Sequence, residues 1–177
     1  MTTTPDRPSS DQLSPQHQAT AAIGAFAATG RLPHLRDALT EGLDAGLTVN
    51  QIKEILVQMY AYAGFPRSLN ALGEFMSLLE QRRADGITDL AGEQPKPLPV
   101  GTDILERGTA NQTQLSGAPV TGPLFDFAPA IDRYLKTHLF GDIFSRDNLD
   151  WQAARSPPSP RSPASTASTV NCGPTSA

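Results

Sequence analysis

Residues 38–72 read ALTEGLDAGLTVNQIKEILVQMYAYAGFPRSLNAL, and this stretch decides the fold. Gly46 predicts the end of one helix, because glycine readily adopts the left-handed conformation that closes a helix. Thr48, with Gln51 three residues later, forms the capping-box pattern that starts another helix. Apolar residues then recur at helical spacing as far as Gly64. The stretch therefore predicts short helices that are joined by glycine-marked turns and packed through their apolar faces.

Working outward from this stretch gives four predicted helices. The first begins at Ser14-Pro15 and ends at Gly30, since serine caps a helix and proline suits its first turn. The others cover residues 32–45, 48–64 and 66–83. On the fourth helix, the residues expected to face the core are Leu69, Leu72, Phe75, Met76 and Leu79. No segment shows sustained alternation of apolar and polar residues. We therefore expect no sheet and an all-α, compact helical-hairpin module.

Composition divides the chain into five parts. Residues 1–12 are rich in Thr, Ser, Pro and Asp and are expected to be disordered. The helical module occupies 13–88, and a proline-containing linker occupies 89–100. Residues 101–152 are an aromatic helical connector, with helices expected at 103–115 and 129–139. Residues 153–177 hold many serines and prolines and almost no large aliphatic residues, so we expect disorder there as well.

The bulk properties exclude several classes of protein. The net charge is −4 and the basic residues are scattered, which argues against a nucleic-acid partner. No apolar run approaches the ~20 residues that span a bilayer, and the N-terminus carries no apolar signal segment. We therefore expect a cytoplasmic protein with no membrane partner. Cys172 is the only cysteine, so a disulfide framework and a cysteine-based zinc site are excluded. We expect no metal and no organic cofactor.

The motifs in 38–72 carry a resemblance to a known family. The run ending in Ile52-Lys53-Glu54-Ile55-Leu56, with the Tyr-Ala-Gly-Phe-Pro corner at 62–66 and Leu-Asn-Ala-Leu at 69–72, resembles the carboxymuconolactone decarboxylase family, which includes the alkylhydroperoxidase D-like proteins. The resemblance is specific over residues 13–83. Residues 101–152 resemble the connecting segment of tandem, two-module members.

This resemblance implies an all-helical fold that assembles into homo-oligomers, with active sites near subunit or module interfaces. It also implies one of two activities on a small-molecule substrate, namely decarboxylation of a carboxylated muconolactone or thiol-based reduction of a peroxide. Peroxide reduction needs an attacking and a resolving thiol. Residues 1–152 contain no cysteine, which excludes that chemistry in this module. In the decarboxylase branch, a histidine lies eight residues before the glycine that closes the second helix. Here Ala38 holds that position, and His34 lies one turn earlier. His34 is therefore expected to be a surface histidine.

The resemblance and the chemistry of decarboxylation suggest three catalytic candidates. Glu54 could serve as an acid or base, and the alternative is a solvated helix face beside Lys53. Tyr62 and Asn70 could hydrogen-bond a substrate carboxylate or lactone, or they could lock the corner between the third and fourth helices.

Candidate substrate-binding residues lie at the corner itself. They are Gly64, Phe65, Pro66 and Arg67. Arg67 could contact an anion near the helix start, and the alternative is a surface arginine. His138, between aromatic neighbours, is expected only to satisfy local packing.

The composition changes abruptly after Gln152, where two-module relatives would enter their second module. Loss of one base after the Gln152 codon could produce residues 153–177 from a sequence that resembles the start of that module. We therefore expect a frameshifted remnant, with a genuine Ser/Pro tail as the alternative, and sequencing of the gene would decide between them. Trp151 would then have packed against the missing module. The aromatic stretch from Phe125 to Phe144 would then be exposed to solvent and would favour self-association.

The functional prediction from the sequence is a decarboxylase-like enzyme, a carboxy-lyase by resemblance, that acts on a small carboxylated lactone or related acid. Loss of the second module could make this particular chain inactive. One alternative is a peroxiredoxin-type oxidoreductase, which the family includes but the absence of cysteine disfavours. The other is a non-catalytic helical oligomerisation unit.

Overall fold

The computed structural model describes residues 13–147 and Leu149, and all regular structure in this part is helical, as expected. The expectations for residues 1–12, Trp151 and 153–177 lie outside the described residues. The elements are α1 (Pro15–Thr29), α2 (Leu32–Asp44), α3 (Val49–Gln58), α4 (Tyr60–Ala63), α5 (Phe65–Ala84), α6 (Ile104–Ser116), α7 (Pro123–Phe127), α8 (Pro129–Tyr134) and a π-helical segment (Leu135–Ile143). None of these helices is both long enough and apolar enough to cross a bilayer.

The local signals at the helix ends act as the sequence predicts. The Ser14 hydroxyl accepts a hydrogen bond from the His17 N–H and caps α1. At α3, the Gln51 N–H donates to the Thr48 hydroxyl (3.2 Å), and the Gln51 side chain accepts from the Thr48 N–H (2.9 Å). These caps place the apolar faces of α1, α2, α3 and α5 in one core, whose buried residues include Ile23, Leu35, Leu39, Ile52, Leu56, Ala71 and Phe75.

The predicted third helix is interrupted, which the sequence pattern did not indicate. α3 ends at Gln58, and the short α4 carries the chain to the corner at Gly64. In a continuous helix the Leu56 carbonyl would accept the N–H four residues later. Here it accepts the hydroxyl of the buried Ser68, at 2.8 Å, which ties the start of α5 to the end of α3.

The predicted core face of α5 is partly wrong. Leu69 and Met76 were expected to face inward, but each is 61% exposed. The buried positions of α5 are instead Ser68, Ala71, Phe75 and Leu78. Both sets follow spacings of three and four residues, so the pattern alone does not distinguish the core face from a second apolar face beside it.

The linker lies against the start of α3. The Val49 and Asn50 N–H groups donate to the carbonyls of Leu90 and Ala91, each at 2.9 Å. The first N–H groups of a helix have no partner within the helix, so the linker supplies the missing acceptors. The Asn50 side chain also donates to the Gly92 carbonyl.

The connector is held together by close backbone contact between α6 and the π-helical segment. A β-carbon on Gly108 would lie 1.7 Å from the Lys136 carbonyl oxygen and 2.9 Å from the Gly141 nitrogen. Only glycine allows this approach. The helix expected at 103–115 is α6, whereas the one expected at 129–139 is divided between α8 and the π-helical segment, which continues to Ile143.

Gly108→Ala is expected to destabilise the chain by about 1–3 kcal/mol, because the added methyl group would force two backbones apart. Gly73→Ala is the matched control. Gly73 also lies within a helix, and a β-carbon there meets nothing within 4 Å. That variant should gain about 0.5–1 kcal/mol from the better helix propensity of alanine. Urea denaturation of both variants measures the two effects, and changes of the same sign would contradict the close packing of α6.

Candidate active site

Glu54 is a buried carboxylate within an otherwise apolar helix face. It follows the exposed Lys53 on α3 and is only 1% exposed, between the buried positions Ile52 and Ile55. The alternative of a solvated helix face is therefore wrong for Glu54. A buried charge requires a partner, because transfer of a carboxylate out of water is costly unless it is paired and hydrogen-bonded.

The partner is Arg146, which follows the π-helical segment. Its Nε atom lies 2.8 Å from each carboxylate oxygen of Glu54. The Gln58 side-chain amide, one turn further along α3, donates to Oε1 of Glu54 at 3.4 Å. The ion pair therefore joins the helical module to the end of the connector.

Arg146 was not among the candidate site residues that the sequence pattern indicated. The two partners are 92 residues apart, and no motif surrounds the arginine. One signal was available. The apolar residues on both sides of Glu54 indicate burial, and a buried carboxylate demands a cation from elsewhere in the chain.

A cavity of about 240 Å³ opens beside this pair. It is lined by Asn50, Lys53, Glu54, Val57, Gln94, Pro95 and Arg146. α3 provides one wall, the linker a second, and the end of the connector a third. Polar and charged side chains therefore converge on a space that fits a small organic acid.

A second contact holds the linker wall to the connector. The Lys96 N–H donates to Oδ1 of Asp147 at 2.9 Å, and Lys96 Nζ lies 3.2 Å from Oδ2. The backbone hydrogen bond from Lys96, followed by the bond from its side chain, lowers the pKa of Asp147. Asp147 is the residue after Arg146, so this contact fixes the linker beside the Glu54 cavity.

The other catalytic candidates lie apart from this cavity. Tyr62 and Asn70 are exposed, and neither lines the space beside Glu54. Although Tyr62 is exposed overall, partial desolvation raises the pKa of its hydroxyl. The structure therefore does not bring the three catalytic candidates together around one cavity, and the roles of Tyr62 and Asn70 stay predictions.

The four substrate-binding candidates are all exposed at the α4–α5 corner. They are Gly64, Phe65, Pro66 and Arg67. The Phe65 ring stacks on Tyr60 with centroids 4.5 Å apart. The Arg67 guanidinium lies over Gly30 at the C-terminal end of α1, where a β-carbon would be 1.5 Å from its Nη1 atom. A cation is favourable at that end of a helix. This packing gives Arg67 a structural contact, and its role as an anion ligand stays a prediction.

The two histidines that were considered from the sequence, His34 and His138, also lie outside the cavity. His34 is exposed, and its ring packs 5.4 Å from that of Phe26. His138 contacts the Asp142 carboxylate at 3.0 Å and the Tyr60 ring at 5.3 Å. Among the described residues, no group of three or more His, Cys, Asp or Glu side chains is arranged to hold a metal ion.

Comparison with known proteins gives a family match over most of the helical module. The model of the carboxymuconolactone decarboxylase family matches residues 7–75, a range that contains Glu54 and the α4–α5 corner but not Arg146. A search of curated proteins gives no match. The resemblance drawn from the motifs in 38–72 is confirmed.

Proposed function

Because residues 7–75 belong to the carboxymuconolactone decarboxylase family, we propose that this chain is a decarboxylase-like enzyme acting on a small carboxylated lactone or related acid. Membership of the family fits both decarboxylases and alkylhydroperoxidase-like proteins. The observation that supports the first is the buried Glu54 carboxylate at the edge of a polar cavity. The absence of cysteine from residues 1–152 disfavours the second, since thiol chemistry needs a thiolate.

The proposed reaction breaks one carbon–carbon bond. The electron pair of that bond stays on the substrate carbon as carbon dioxide leaves, and a proton then adds to the carbon. Glu54 is the group proposed to deliver this proton, which its carboxylate would first take up from water in the cavity. The adjacent Arg146 guanidinium would stabilise the negative charge that develops on the substrate. The reaction requires no redox partner, and the proposal invokes no cofactor.

Tyr62 and Asn70 could contribute to this reaction only if another surface covered them. Both side chains face solvent, where water would compete with a substrate for their hydrogen bonds. A second module or subunit over the α4–α5 corner would enclose them. The proposal therefore assigns the proton transfer to Glu54 and gives these two residues a role only in an assembled form.

Carbon dioxide release tests the proposal directly. The purified chain is incubated with a carboxylated muconolactone and related small acids, and released carbon dioxide is measured beside a chain with its reading frame restored after Gln152. Release by either chain supports the decarboxylase, and release by the restored chain alone would assign the activity to the residues that the restored frame encodes. No release from either chain would refute the proposal.

A second candidate function, a helical oligomerisation unit, is favoured by the outer face of α5. Phe65, Leu69 and Met76 are each more than 60% exposed, and Leu72 between them is partly buried. Their spacing of four, three and four residues places them on one face of the helix. A similar row runs along α7 and α8, where Leu124, Phe127, Ile131 and Tyr134 are exposed. Exposed apolar rows of this kind mark surfaces that associate.

We therefore expect the chain to sediment as a species larger than a monomer, and the double variant Leu69→Gln, Met76→Gln to shift it toward the monomer. Each apolar side chain buried in an interface contributes roughly 1.5–3 kcal/mol, and glutamine removes most of this. Leu90→Gln is the matched control, since Leu90 is exposed but lies in the linker. A wild-type chain that remains monomeric at tens of micromolar, or a control that dissociates equally, would refute this interface.

A further inference from the structure

We propose that the cavity beside Glu54 is a carboxylate-binding site, in which Arg146 and Lys53 hold an acidic ligand and Glu54 positions Arg146. The inference deepens the proposed function, because it assigns the binding of the substrate's acid group to a residue outside the family match. Three features support it, namely the charge of the cavity lining, the unused donors of the Arg146 guanidinium and the lack of an ion pair between Lys53 and any described residue.

The charged groups that line the cavity do not balance. Among the residues that the structure describes, Lys53 and Arg146 are the cationic side chains of the lining, and Glu54 is its only acidic one. The Glu54 carboxylate is already engaged, because both oxygens accept from Arg146 Nε and one also accepts from Gln58. The described lining therefore carries a net positive charge that an anionic ligand would neutralise.

Arg146 presents the remaining edge of its guanidinium for such a ligand. The group has five N–H donors, and only the one on Nε is used by Glu54. Neither Nη atom donates to any other residue in the part of the chain that the structure describes. The side chain is 39% exposed, although its partner is buried. A guanidinium fork matches the two oxygens of a carboxylate, so this edge is suited to bind one.

Lys53 provides a second cation on the same wall. It is exposed one residue before Glu54 and forms no ion pair with a described residue. The side chain of Gln94 lines the facing wall on the linker. Two cations and an amide around a space of about 240 Å³ favour a small mono- or dicarboxylate over a neutral molecule.

Titration with maleate, followed by nuclear magnetic resonance of backbone amides, tests this site. We expect saturable shifts centred on Lys53, Glu54, Gln94 and Arg146, and none with the uncharged dimethyl maleate. Arg146→Gln should weaken maleate binding by at least about tenfold, the loss expected for a charge-assisted hydrogen bond. Lys53→Gln should weaken it by a smaller factor. Arg83→Gln is the matched control, since it removes an exposed cation from the end of α5 and should leave binding unchanged.

A second variant separates binding from folding. Arg146→Gln leaves the Glu54 carboxylate buried without its cation, which destabilises the protein. The double variant Glu54→Gln, Arg146→Gln replaces the ion pair with two neutral amides, so it should fold and still fail to bind maleate. Equal binding of the diester, wild-type affinity in the double variant, or tighter binding of inorganic phosphate than of maleate would overturn the proposal.

The outcome is independent of turnover. If maleate binds through Arg146 while no carbon dioxide is released from any lactone, the binding site stands and the decarboxylase function fails. If the wild-type chain releases carbon dioxide and its KM is unchanged in both Lys53→Gln and Arg146→Gln, the decarboxylase stands and this binding site fails.

Discussion

Glu54→Gln is expected to lower kcat/KM for decarboxylation by roughly a hundredfold to ten-thousandfold, the range associated with a positioned acid or base. Glutamine keeps the shape of the side chain and an oxygen that accepts from Arg146, but it does not exchange a proton with substrate. The carboxylate is buried at the cavity wall, so bulk water does not replace it readily. The measurement is the initial rate of carbon dioxide release over a range of substrate concentrations.

Glu74→Gln is the control for this prediction. Glu74 also forms an ion pair with an arginine, since Arg36 Nη1 lies 2.6 Å from its Oε1, but the pair lies between α2 and α5 and away from the cavity. The control should retain wild-type kcat/KM. A Glu54→Gln enzyme with unchanged turnover would remove Glu54 from the mechanism, and an equal loss in both variants would indicate a general effect on folding.

Asp89→Asn is expected to lower the free energy of unfolding by about 3–5 kcal/mol, the typical cost of breaking a buried ion pair from one side. Arg82, on the last turn of α5, donates from Nε and Nη2 to both oxygens of Asp89 at 2.8–3.1 Å. The two side chains are only 12% and 10% exposed. Hydrogen bonding to Asp89 is the main influence that raises the pKa of Arg82, against the opposing effect of desolvation. Asparagine would leave this guanidinium buried with an incomplete set of acceptors.

The same arginine supplies the control for this second prediction. Arg82 Nη2 also lies 3.0 Å from Oδ1 of Asp44, but that carboxylate is 61% exposed. Asp44→Asn should therefore cost no more than about 1 kcal/mol, as for other exposed pairs. Urea denaturation at neutral pH compares the two variants through their midpoints at constant slope. Equal destabilisation by both would contradict the burial of the Arg82–Asp89 pair.

The Asp89 variant should also affect the Glu54 cavity. Asp89 anchors the start of the linker, whose next two carbonyls cap α3 and whose residues 94 and 95 line the cavity. Loss of the Arg82–Asp89 ion pair should make the linker residues that line the cavity more mobile. We expect maleate affinity to fall in Asp89→Asn but not in Asp44→Asn, which connects the stability of the linker to the site.

Local signals explain why much of the helical module could be predicted from sequence. The caps at Ser14 and Thr48 and the stop at Gly30 act within a few residues of chain, so their outcome depends little on distant contacts. The prediction failed for α5, where Leu69 and Met76 satisfy the same spacing as the buried residues. Which of two adjacent apolar faces becomes the core depends on where α1, α2 and α3 lie, and this is not a property of α5 alone.

The sequence by itself determined the helical class of this protein, the position of most helices in the module, the resemblance to the carboxymuconolactone decarboxylase family over residues 7–75 and the absence of a thiol site in residues 1–152. All of these depend on residue types or on contacts between near neighbours. Only the tertiary structure decided that Glu54 is buried, that Arg146 is its partner and that the linker forms a wall beside both. An ion pair between residues 92 positions apart leaves no periodic trace in a single sequence, because it forms only when packed helices bring distant parts of the chain together.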